Sequence, residues 1–128
     1  MANEKVLFVD DEVDFVDIVG TRLEANGFKV IPAYDGEEAL EKVANDRPDV
    51  IILDIMMPKI NGFDVCRRLK ADKNYKDIPV IILTARFQPN DIKFSKDVGA
   101  DAYITKPFDP RVLLEKLREL LQKRGGAA

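Results

Sequence analysis

Short apolar runs alternate along the chain with longer stretches in which apolar positions recur every three or four residues. Continuous apolar runs begin at Val6, Val50 and Val80, and runs of mixed polarity begin at Phe28 and Ala102. Short apolar or alternating runs bounded by turn residues predict strands, and the longer spacing predicts helices. We therefore predict strands near 5–10, 28–33, 50–54, 79–84 and 102–105, and helices near 12–26, 36–46, 61–72, 90–98 and 109–123.

The regular alternation of strand and helix predicts a parallel sheet with helices on both of its faces. The runs beginning at Val6, Val50 and Val80 are apolar throughout, as expected for central strands that helices cover on both sides, whereas the two mixed runs suit the edges. Right-handed crossovers then favour the strand order 2-1-3-4-5. The predicted fold is α/β, a doubly wound five-stranded parallel sheet of the flavodoxin-like type.

Two further patterns predict parts of the core. In the last predicted helix, the buried face is predicted to consist of Val112, Leu113, Leu117, Leu120 and Leu121. Cys66, the only cysteine, lies between Val65 and Leu69 at a spacing typical of core positions. We expect it to be a small buried apolar residue rather than a reactive one.

The composition bounds the organisation of the chain and its partners. With 128 residues the chain is long enough for one domain, which we assign to 1–124, with 125–128 as a flexible tail or linker remnant. The formal charge of -3, from 20 basic and 23 acidic residues mixed along the chain, argues against direct nucleic-acid binding. The absence of a membrane-length apolar stretch, the few apolar residues before Asp10 and the single cysteine predict a cytoplasmic protein without membrane contact.

Polar residues stand at the carboxyl ends of several predicted strands. Asp10 and Asp11 follow the apolar run of the first strand, Asp54 that of the third, Thr84 that of the fourth, and Lys106 comes after the fifth strand. The carboxyl ends of parallel strands meet at one edge of the sheet, where ligands of open α/β sheets bind. The sequence therefore predicts that these five residues form one site.

The aspartates have simple structural explanations when each is taken alone. Asp10 or Asp11 could cap the first helix, and Asp54 could begin a turn. Capping needs only one carboxylate, however, and neighbouring carboxylates repel one another unless they hold a proton or a cation. Because the ligands would be hard oxygens, magnesium is the expected ion. Asp54 is then a candidate nucleophile toward phosphorus, with Thr84 and Lys106 available to bind phosphoryl oxygens.

The motifs at these positions occur in an order that resembles one family across about residues 5 to 123. They are Val9 to Glu12, Leu53 to Pro58 with Asn61-Gly62-Phe63, Leu83-Thr84-Ala85, and Gly99 to Phe108. This ordered set resembles the receiver domain of two-component response regulators, in particular the chemotaxis receivers.

The resemblance implies a role for each residue of the predicted site. Asp54 would be the phosphoacceptor, Asp10, Asp11, Asp54 and the backbone carbonyl of Met56 would surround Mg²⁺, and Thr84 and Lys106 would contact the phosphoryl oxygens. The phosphoryl donor in the family is a histidine of a sensor kinase or phosphotransfer protein. This chain has no histidine, so the donor is expected on a partner.

The resemblance also implies switching and lifetime positions. Thr84 and Tyr103 occupy the positions that couple phosphorylation to the surface of the fourth helix, fifth strand and fifth helix. Met56 and Arg86 occupy positions that tune the hydrolysis of the aspartyl phosphate. That surface carries Lys93, Asp97, Asp101, Arg111 and Arg118, which partly resembles a charged dimer face, although Ala102 replaces a usual aspartate. A phosphorylation-dependent dimer is thus left open, and the downstream effector is not specified.

The leading hypothesis is a phosphorylation-activated signalling switch that catalyses only its own phosphorylation and dephosphorylation and is not an enzyme toward external substrates. A flavodoxin-like electron carrier is disfavoured because the loop after the first strand is acidic rather than rich in phosphate-binding donors. A phosphatase of the haloacid-dehalogenase type would need an aspartate where Met56 stands. The remaining alternative is a receiver-like interaction scaffold that phosphorylation does not regulate, which would be expected to lack one of the five site residues.

Overall fold

The computed structural model describes residues 4–57, 60–84, 93, 96–106 and 108–126. Its strands are β1 (Lys5–Val9), β2 (Lys29–Ala33), β3 (Val50–Asp54), β4 (Val80–Thr84) and β5 (Ala102–Thr105). Its continuous helices are α1 (Val13–Ala25), α2 (Gly36–Asp46), α3 (Gly62–Ala71) and α4 (Pro110–Gly126). None of the helices within the described ranges combines the length and the apolar character needed to cross a membrane.

The predicted elements are confirmed wherever the structure describes them. Every strand lies within one residue of its predicted bounds, and α2 has the predicted bounds. The predicted helix near 90–98 lies outside the described residues for most of its length, although Lys93, Lys96 and Asp97 are helical. The alternation of apolar runs and helical spacing was therefore a sound guide to the order of elements.

The five strands form one parallel sheet in the order β2-β1-β3-β4-β5, which confirms the predicted topology. In its register, Val9 of β1 lies beside Leu53 of β3, and Thr84 of β4 lies beside Thr105 of β5. The first residue after β1, the last residue of β3 and the last residue of β4 consequently emerge at one edge of the sheet. This register assembles the candidate site.

Each face of the sheet has its own core layer. On one face, Leu7, Val9, Ile51 and Leu53 pack with apolar residues of α2 and α3. On the other face, the alternate strand residues pack with apolar residues of α1 and α4, among them Val16, Leu23, Leu113 and Leu117. The central strands are covered on both sides, which explains why their sequences are apolar without interruption.

One core prediction for the last helix is wrong. Val112 is 48% exposed, whereas Leu114, which was not assigned to the buried face, is only 6% exposed. Successive helical residues are about 100° apart, and the stripe that packs on the sheet is set by Leu113, Leu117 and Leu121, which places Leu114 inside it and Val112 beside it. The prediction for Cys66 is confirmed, since its thiol is buried and burial raises its pKa to about 11.

Side-chain caps fix the starts of α2 and α3. Asp35 Oδ1 accepts a hydrogen bond from the backbone N–H of Glu38 at 2.8 Å, and Glu38 Oε1 accepts one from the N–H of Tyr34 at 2.7 Å. Asn61 Oδ1 accepts from the N–H of Asp64 at 3.0 Å. These bonds satisfy backbone donors that the first helical turn leaves without a partner. They fix the positions at which the chain passes from the carboxyl edge of the sheet into α2 and into α3.

Candidate functional site

Three carboxylates meet at the edge of the sheet between β1 and β3. Asp10 and Asp54 are buried and Asp11 is exposed. One carboxylate oxygen of each residue lies within 4.8 Å of the corresponding oxygens of the other two. The aspartates that the sequence predicted to cluster are therefore brought together.

Backbone hydrogen bonds orient the two buried carboxylates. The N–H of Glu12 donates to Asp10 Oδ1 at 2.9 Å, and the N–H of Met56 donates to Asp54 Oδ1 at 3.3 Å. Glu12, rather than Asp10 or Asp11, is the N-cap of α1, and its side chain makes no capping hydrogen bond. Asp10 thus binds the backbone of the cap residue without being the cap itself, so capping alone does not account for the cluster.

Lys106 enters the acidic cluster from the end of β5. Its Nζ atom donates to Asp10 Oδ2 at 2.8 Å and to Glu12 Oε1 at 3.3 Å, and it lies 4.0 Å from Asp54 Oδ2. Its backbone N–H donates to the carbonyl oxygen of Thr84 at 2.6 Å, which ties the position of Lys106 to the end of β4. The predicted cation is therefore next to the predicted phosphoacceptor.

The pKa values of the cluster reflect burial and crowding of negative charge. Burial, and then the charge of Asp10, raises the pKa of Asp54 to about 6 despite the opposing charge of Lys106. Burial also raises the pKa of Asp10, against the lowering by its hydrogen bond from Lys106. For Lys106, burial lowers the pKa, but the hydrogen bond to Asp10 and the charge of Asp54 outweigh it and raise the pKa overall. Binding of an additional cation would therefore stabilise the charged form of these carboxylates.

The donor set fits a hard divalent cation. Asp10, Asp11 and Asp54 offer carboxylate oxygens, and the cluster contains neither histidine nor cysteine. Magnesium is usually held by one or two carboxylates together with water molecules and phosphate oxygens. The exposure of Asp11 leaves one side of the cluster open to water, as such coordination requires.

Gly62 allows α3 to begin directly beside the end of β3. A Cβ atom at this position would lie 2.4 Å from the carbonyl oxygen of Asp54 and 2.8 Å from Cα of Ile55. Real Cβ atoms do not approach other atoms so closely. The absence of a side chain at Gly62 therefore allows α3 to approach Asp54. The spacing of apolar residues did not reveal this role, although Gly62 belongs to the Asn61-Gly62-Phe63 motif.

The other predicted site residues take different positions. Thr84 is fully buried at the end of β4, and Tyr103 is half-buried on the neighbouring β5, where it packs against the core layer of α2 and α3. The side chain of Met56 is 55% exposed, two residues beyond Asp54. Arg86 lies outside the described residues.

The sequence interpretation missed Glu12 and Phe15 as site residues, although both contact Lys106. Their only signal was proximity to Asp10 and Asp11 near the start of α1.

Three charged residues of the surface predicted for the fourth helix, fifth strand and fifth helix have partners within the chain. The contacts are Asp101 with Lys70 at 2.9 Å, Arg111 with Asp109 at 2.8 Å and Arg118 with Asn26 at 3.2 Å. Asp101 Oδ2 also accepts a hydrogen bond from the backbone N–H of Val80 at 2.8 Å. A dimer that used these charges would have to exchange the internal contacts for intermolecular ones.

The fold and the site together define an α/β receiver-type domain with an acidic cluster and an adjacent lysine. Residues 6–118 match the family described as the response regulator receiver domain. The chain belongs to this family. Among curated relatives, it is 41% identical over 126 residues to the alkaline phosphatase synthesis transcriptional regulatory protein PhoP of Bacillus subtilis. It is 44% identical over 118 residues to the response regulator SaeR of Staphylococcus aureus.

These alignments cover 98% and 92% of the chain but only 52% and 50% of the relatives, so the chain spans about half the length of the curated proteins it matches. Among solved structures, it resembles a CheY-like response regulator receiver domain protein from Methanospirillum hungatei with a TM-score of 0.91 and 32% identity. That match covers 99% of this chain and all of the other. The predicted family and the flavodoxin-like, CheY-like fold are confirmed.

Proposed function

We propose that this receiver domain is a phosphorylation-activated switch of a two-component system, in which Asp54 accepts a phosphoryl group with Mg²⁺ present. The observation that carries the proposal is the convergence of Asp10, Asp11 and Asp54, with carboxylate oxygens within 4.8 Å of one another. Lys106 lies beside two of the three, which supplies the positive charge that a phosphoryl group requires. Together these groups provide a nucleophile and charge compensation at one edge of the sheet.

The chemical step begins at an oxygen of Asp54. That oxygen attacks phosphorus, a new O–P bond forms, and the bond from phosphorus to the nitrogen of the donor histidine breaks, so that the donor imidazole leaves with the electron pair. Asp54 Oδ1 already accepts a hydrogen bond from the N–H of Met56, whereas Oδ2 lies toward Lys106. This arrangement supports Oδ2 as the attacking atom. In dephosphorylation, the oxygen of a water molecule would attack phosphorus and the bond from phosphorus to the Asp54 oxygen would break, which yields inorganic phosphate and the free carboxylate.

The residues that would hold Mg²⁺ are Asp10, Asp11, Asp54 and the backbone carbonyl of Met56. When bound, the ion would neutralise charge on the phosphoryl oxygens. Lys106 would bind a phosphoryl oxygen through its ammonium group, and Thr84 would do so through its hydroxyl. Lys106 is already desolvated and held against Asp10, which favours this role because charge-assisted hydrogen bonds are stronger away from bulk water.

The proposed partners follow from the chemistry and from the family. A chain without histidine needs an external donor, so a sensor histidine kinase or a phosphotransfer protein is the proposed partner. We assign the receiver domain to 1–124 and a tail or linker remnant to 125–128, although α4 extends to Gly126, which lies within that segment. The domain would act on its own aspartate rather than on an external substrate, in the cytoplasm. It would pass the signal through the surface of the predicted fourth helix near 90–98, β5 and α4. A phosphorylation-dependent dimer would use the same surface.

Intact-mass spectrometry after incubation with acetyl phosphate and Mg²⁺ tests the proposal. We expect one added phosphoryl group in the wild type and none in Asp54→Asn. Asp17→Asn is the matched control, because Asp17 is an exposed aspartate on α1 outside the cluster. Unchanged stoichiometric phosphorylation of Asp54→Asn would overturn the assignment of the acceptor. No phosphorylation of the wild type with either acetyl phosphate or phosphoramidate would overturn the proposal and favour an unregulated interaction scaffold.

A further inference from the structure

The ammonium group of Lys106 lies over an aromatic ring as well as beside carboxylates. Its Nζ atom is 4.4 Å from the ring centroid of Phe15 in α1. A cation within about 6 Å of a ring centroid is attracted by the negative face of the ring. The Phe15 ring is therefore one of the groups that hold the Lys106 ammonium in place.

Two further aromatic residues hold the Phe15 ring. Phe8 of β1 packs against it edge to face at 5.9 Å between centroids and an interplanar angle of 83°. Phe108 packs against it in the same manner at 6.0 Å and 90°. Phe8 is fully buried, and Phe108 lies two residues beyond Lys106. The ring thus connects the core under β1 with the segment that carries the lysine.

We propose that Phe15 is a positioning residue for phosphoryl transfer, which holds the Lys106 ammonium over its ring so that the lysine can reach the phosphoryl group on Asp54. This inference rests on the proposed function for its kinetic consequence, but the contact itself is independent of that function. Phe15 would contact neither the phosphoryl group nor the metal. Its effect would act through Lys106.

The distances explain why a ring suits this role. Lys106 Nζ already donates to Asp10 at 2.8 Å, but it is 4.0 Å from Asp54, which is too long for a hydrogen bond. The ammonium must turn toward the phosphoryl oxygens when they arrive. An aromatic face attracts the charge without accepting a hydrogen bond in one fixed direction, so the group can turn while it stays over the ring.

Besides Asp10 and Phe15, Glu12 also contacts the lysine. Its Oε1 atom is 3.3 Å from Lys106 Nζ, but its side chain is 67% exposed. An ion pair with a solvent-exposed partner contributes little because water and salt screen it. Phe15 is half-buried and held on two sides by other rings, so it is the more persistent restraint on Lys106.

The first experiment measures the contact in the absence of any phosphodonor. An aromatic ring shifts protons above its face upfield in the NMR spectrum, so the Cε protons of Lys106 should be shifted upfield in the wild type. The shift should vanish in Phe15→Leu and in Phe15→Met, whose unbranched side chain is closer to phenylalanine in length, and persist in Phe15→Tyr. Ordinary lysine shifts at Lys106 in the wild type, or an upfield shift that survives in both aliphatic variants, would overturn the proposal.

The second experiment measures the rate of phosphorylation by acetyl phosphate at saturating Mg²⁺. We expect Phe15→Leu and Phe15→Met to be slower by about threefold to tenfold, the size expected for loss of one cation–π contact. Phe15→Tyr should stay within about twofold of the wild type because it keeps the ring. The matched control is Phe28→Leu, the same replacement in the same core layer, at the first residue before β2 and at the opposite edge of the sheet.

The two experiments separate failure of this proposal from failure of the proposed function. If Phe28→Leu slows phosphorylation as much as Phe15→Leu, or if both aliphatic variants at position 15 react at the wild-type rate, the positioning role is wrong. If the wild type is not phosphorylated at all, the proposed function fails, while the upfield shift still decides whether Phe15 holds Lys106. Circular dichroism checks that each variant is folded at the temperature of the rate measurement. If neither aliphatic variant folds, the test relies on Phe15→Tyr. A phosphorylation rate of this variant more than threefold below that of the wild type would then overturn the role.

Discussion

Lys106 and Asp10 are joined by a 2.8 Å hydrogen bond, although Lys106 is also only 4.0 Å from the proposed phosphoacceptor Asp54. Both carboxylates are buried, and both have pKa values raised by burial. One ammonium group therefore compensates two buried negative charges and forms a hydrogen bond with only one of them. The unphosphorylated site retains excess negative charge, and this excess determines how the domain should respond to pH, magnesium and substitution.

The first prediction concerns the pH dependence of folding. The pKa of Asp54 is raised from 3.8 to about 6, so the folded state holds a proton at a pH where the unfolded chain has lost it. The free energy of unfolding must then fall as the pH rises through this range. A shift of about two pKa units corresponds to about 3 kcal/mol. In EDTA, Asp54→Asn should be more stable than the wild type at about pH 7, by up to that amount, and should lose this advantage near about pH 4.

Urea unfolding of both proteins across this range measures the effect. The comparison cancels contributions from other carboxylates, such as Asp109, whose pKa is lowered by Arg111 and whose effect on stability has the opposite sign. Millimolar Mg²⁺ should reduce the difference, since a bound cation would stabilise the wild-type cluster. A difference between the two proteins that does not depend on pH would contradict the raised pKa of Asp54.

The second prediction concerns the metal. Asp11 is the exposed member of the cluster, so its removal should disturb folding little while it removes a proposed ligand. Asp11→Ala should lose most phosphorylation at millimolar Mg²⁺, whereas Asp14→Ala, the same change at an exposed position of α1 one turn away, should not. Magnesium binding is measured by titration without phosphodonor. Normal phosphorylation rates in Asp11→Ala would place the metal elsewhere.

The third prediction contrasts two glycines. A Cβ atom at Gly62 would lie 2.4 Å from the backbone oxygen of Asp54, whereas at Gly20, within α1, the nearest atom would be Cγ1 of Val30 at 3.5 Å. Gly62→Ala should therefore destabilise the fold by about 1–3 kcal/mol and slow phosphorylation. Gly20→Ala should stabilise it by up to about 1 kcal/mol, because alanine is the better helix former. Equal stabilities of the two variants in urea would contradict the close approach of α3 to β3.

The strand order and the aspartate cluster could be predicted because they depend on chain-wide patterns. Continuous apolar runs identify central strands, and parallel topology then brings Asp10 and Asp54 to one edge. The contacts of Lys106 could not be predicted in this way, because its choice of Asp10, Glu12 and Phe15 depends on side-chain packing within an ångström. The exposure of Val112 escaped prediction for a similar reason, since the rotation of α4 is set by its contacts with the sheet.

The fourth prediction concerns the conformational switch. Thr84 is buried at the end of β4, and Tyr103 is half-buried on β5, so a change at the threonine hydroxyl can reach the packing of the ring through adjacent strands. We expect phosphorylation to shift an existing equilibrium. NMR amide shifts should appear at Tyr103 and along 96–101, and should be reduced in Thr84→Ala. Shifts limited to residues next to Asp54 would contradict this coupling.

The last prediction concerns the lifetime of the aspartyl phosphate. Hydrolysis requires a water molecule in line with the bond between phosphorus and Asp54, and a nearby polar group must orient that water. Met56 lies two residues beyond Asp54 with an exposed side chain, and its thioether is a weak hydrogen-bond acceptor. Arg86, by its length and charge, would attract phosphoryl oxygens more than an attacking water. We therefore expect slow dephosphorylation, with a lifetime more than about tenfold longer than that of the fastest receivers, a difference in barrier above about 1.4 kcal/mol.

Phosphate release after removal of the phosphodonor measures this lifetime. Met56→Asn should shorten it, because an amide can hold the water, whereas Met56→Leu should leave it unchanged because leucine offers no polar group. Arg86→Ala should also shorten it, since it removes the charge that competes for the phosphoryl oxygens. If the wild type loses its phosphate within seconds, or if Met56→Asn and Met56→Leu have the same lifetime, orientation of water at this position does not control hydrolysis in this protein.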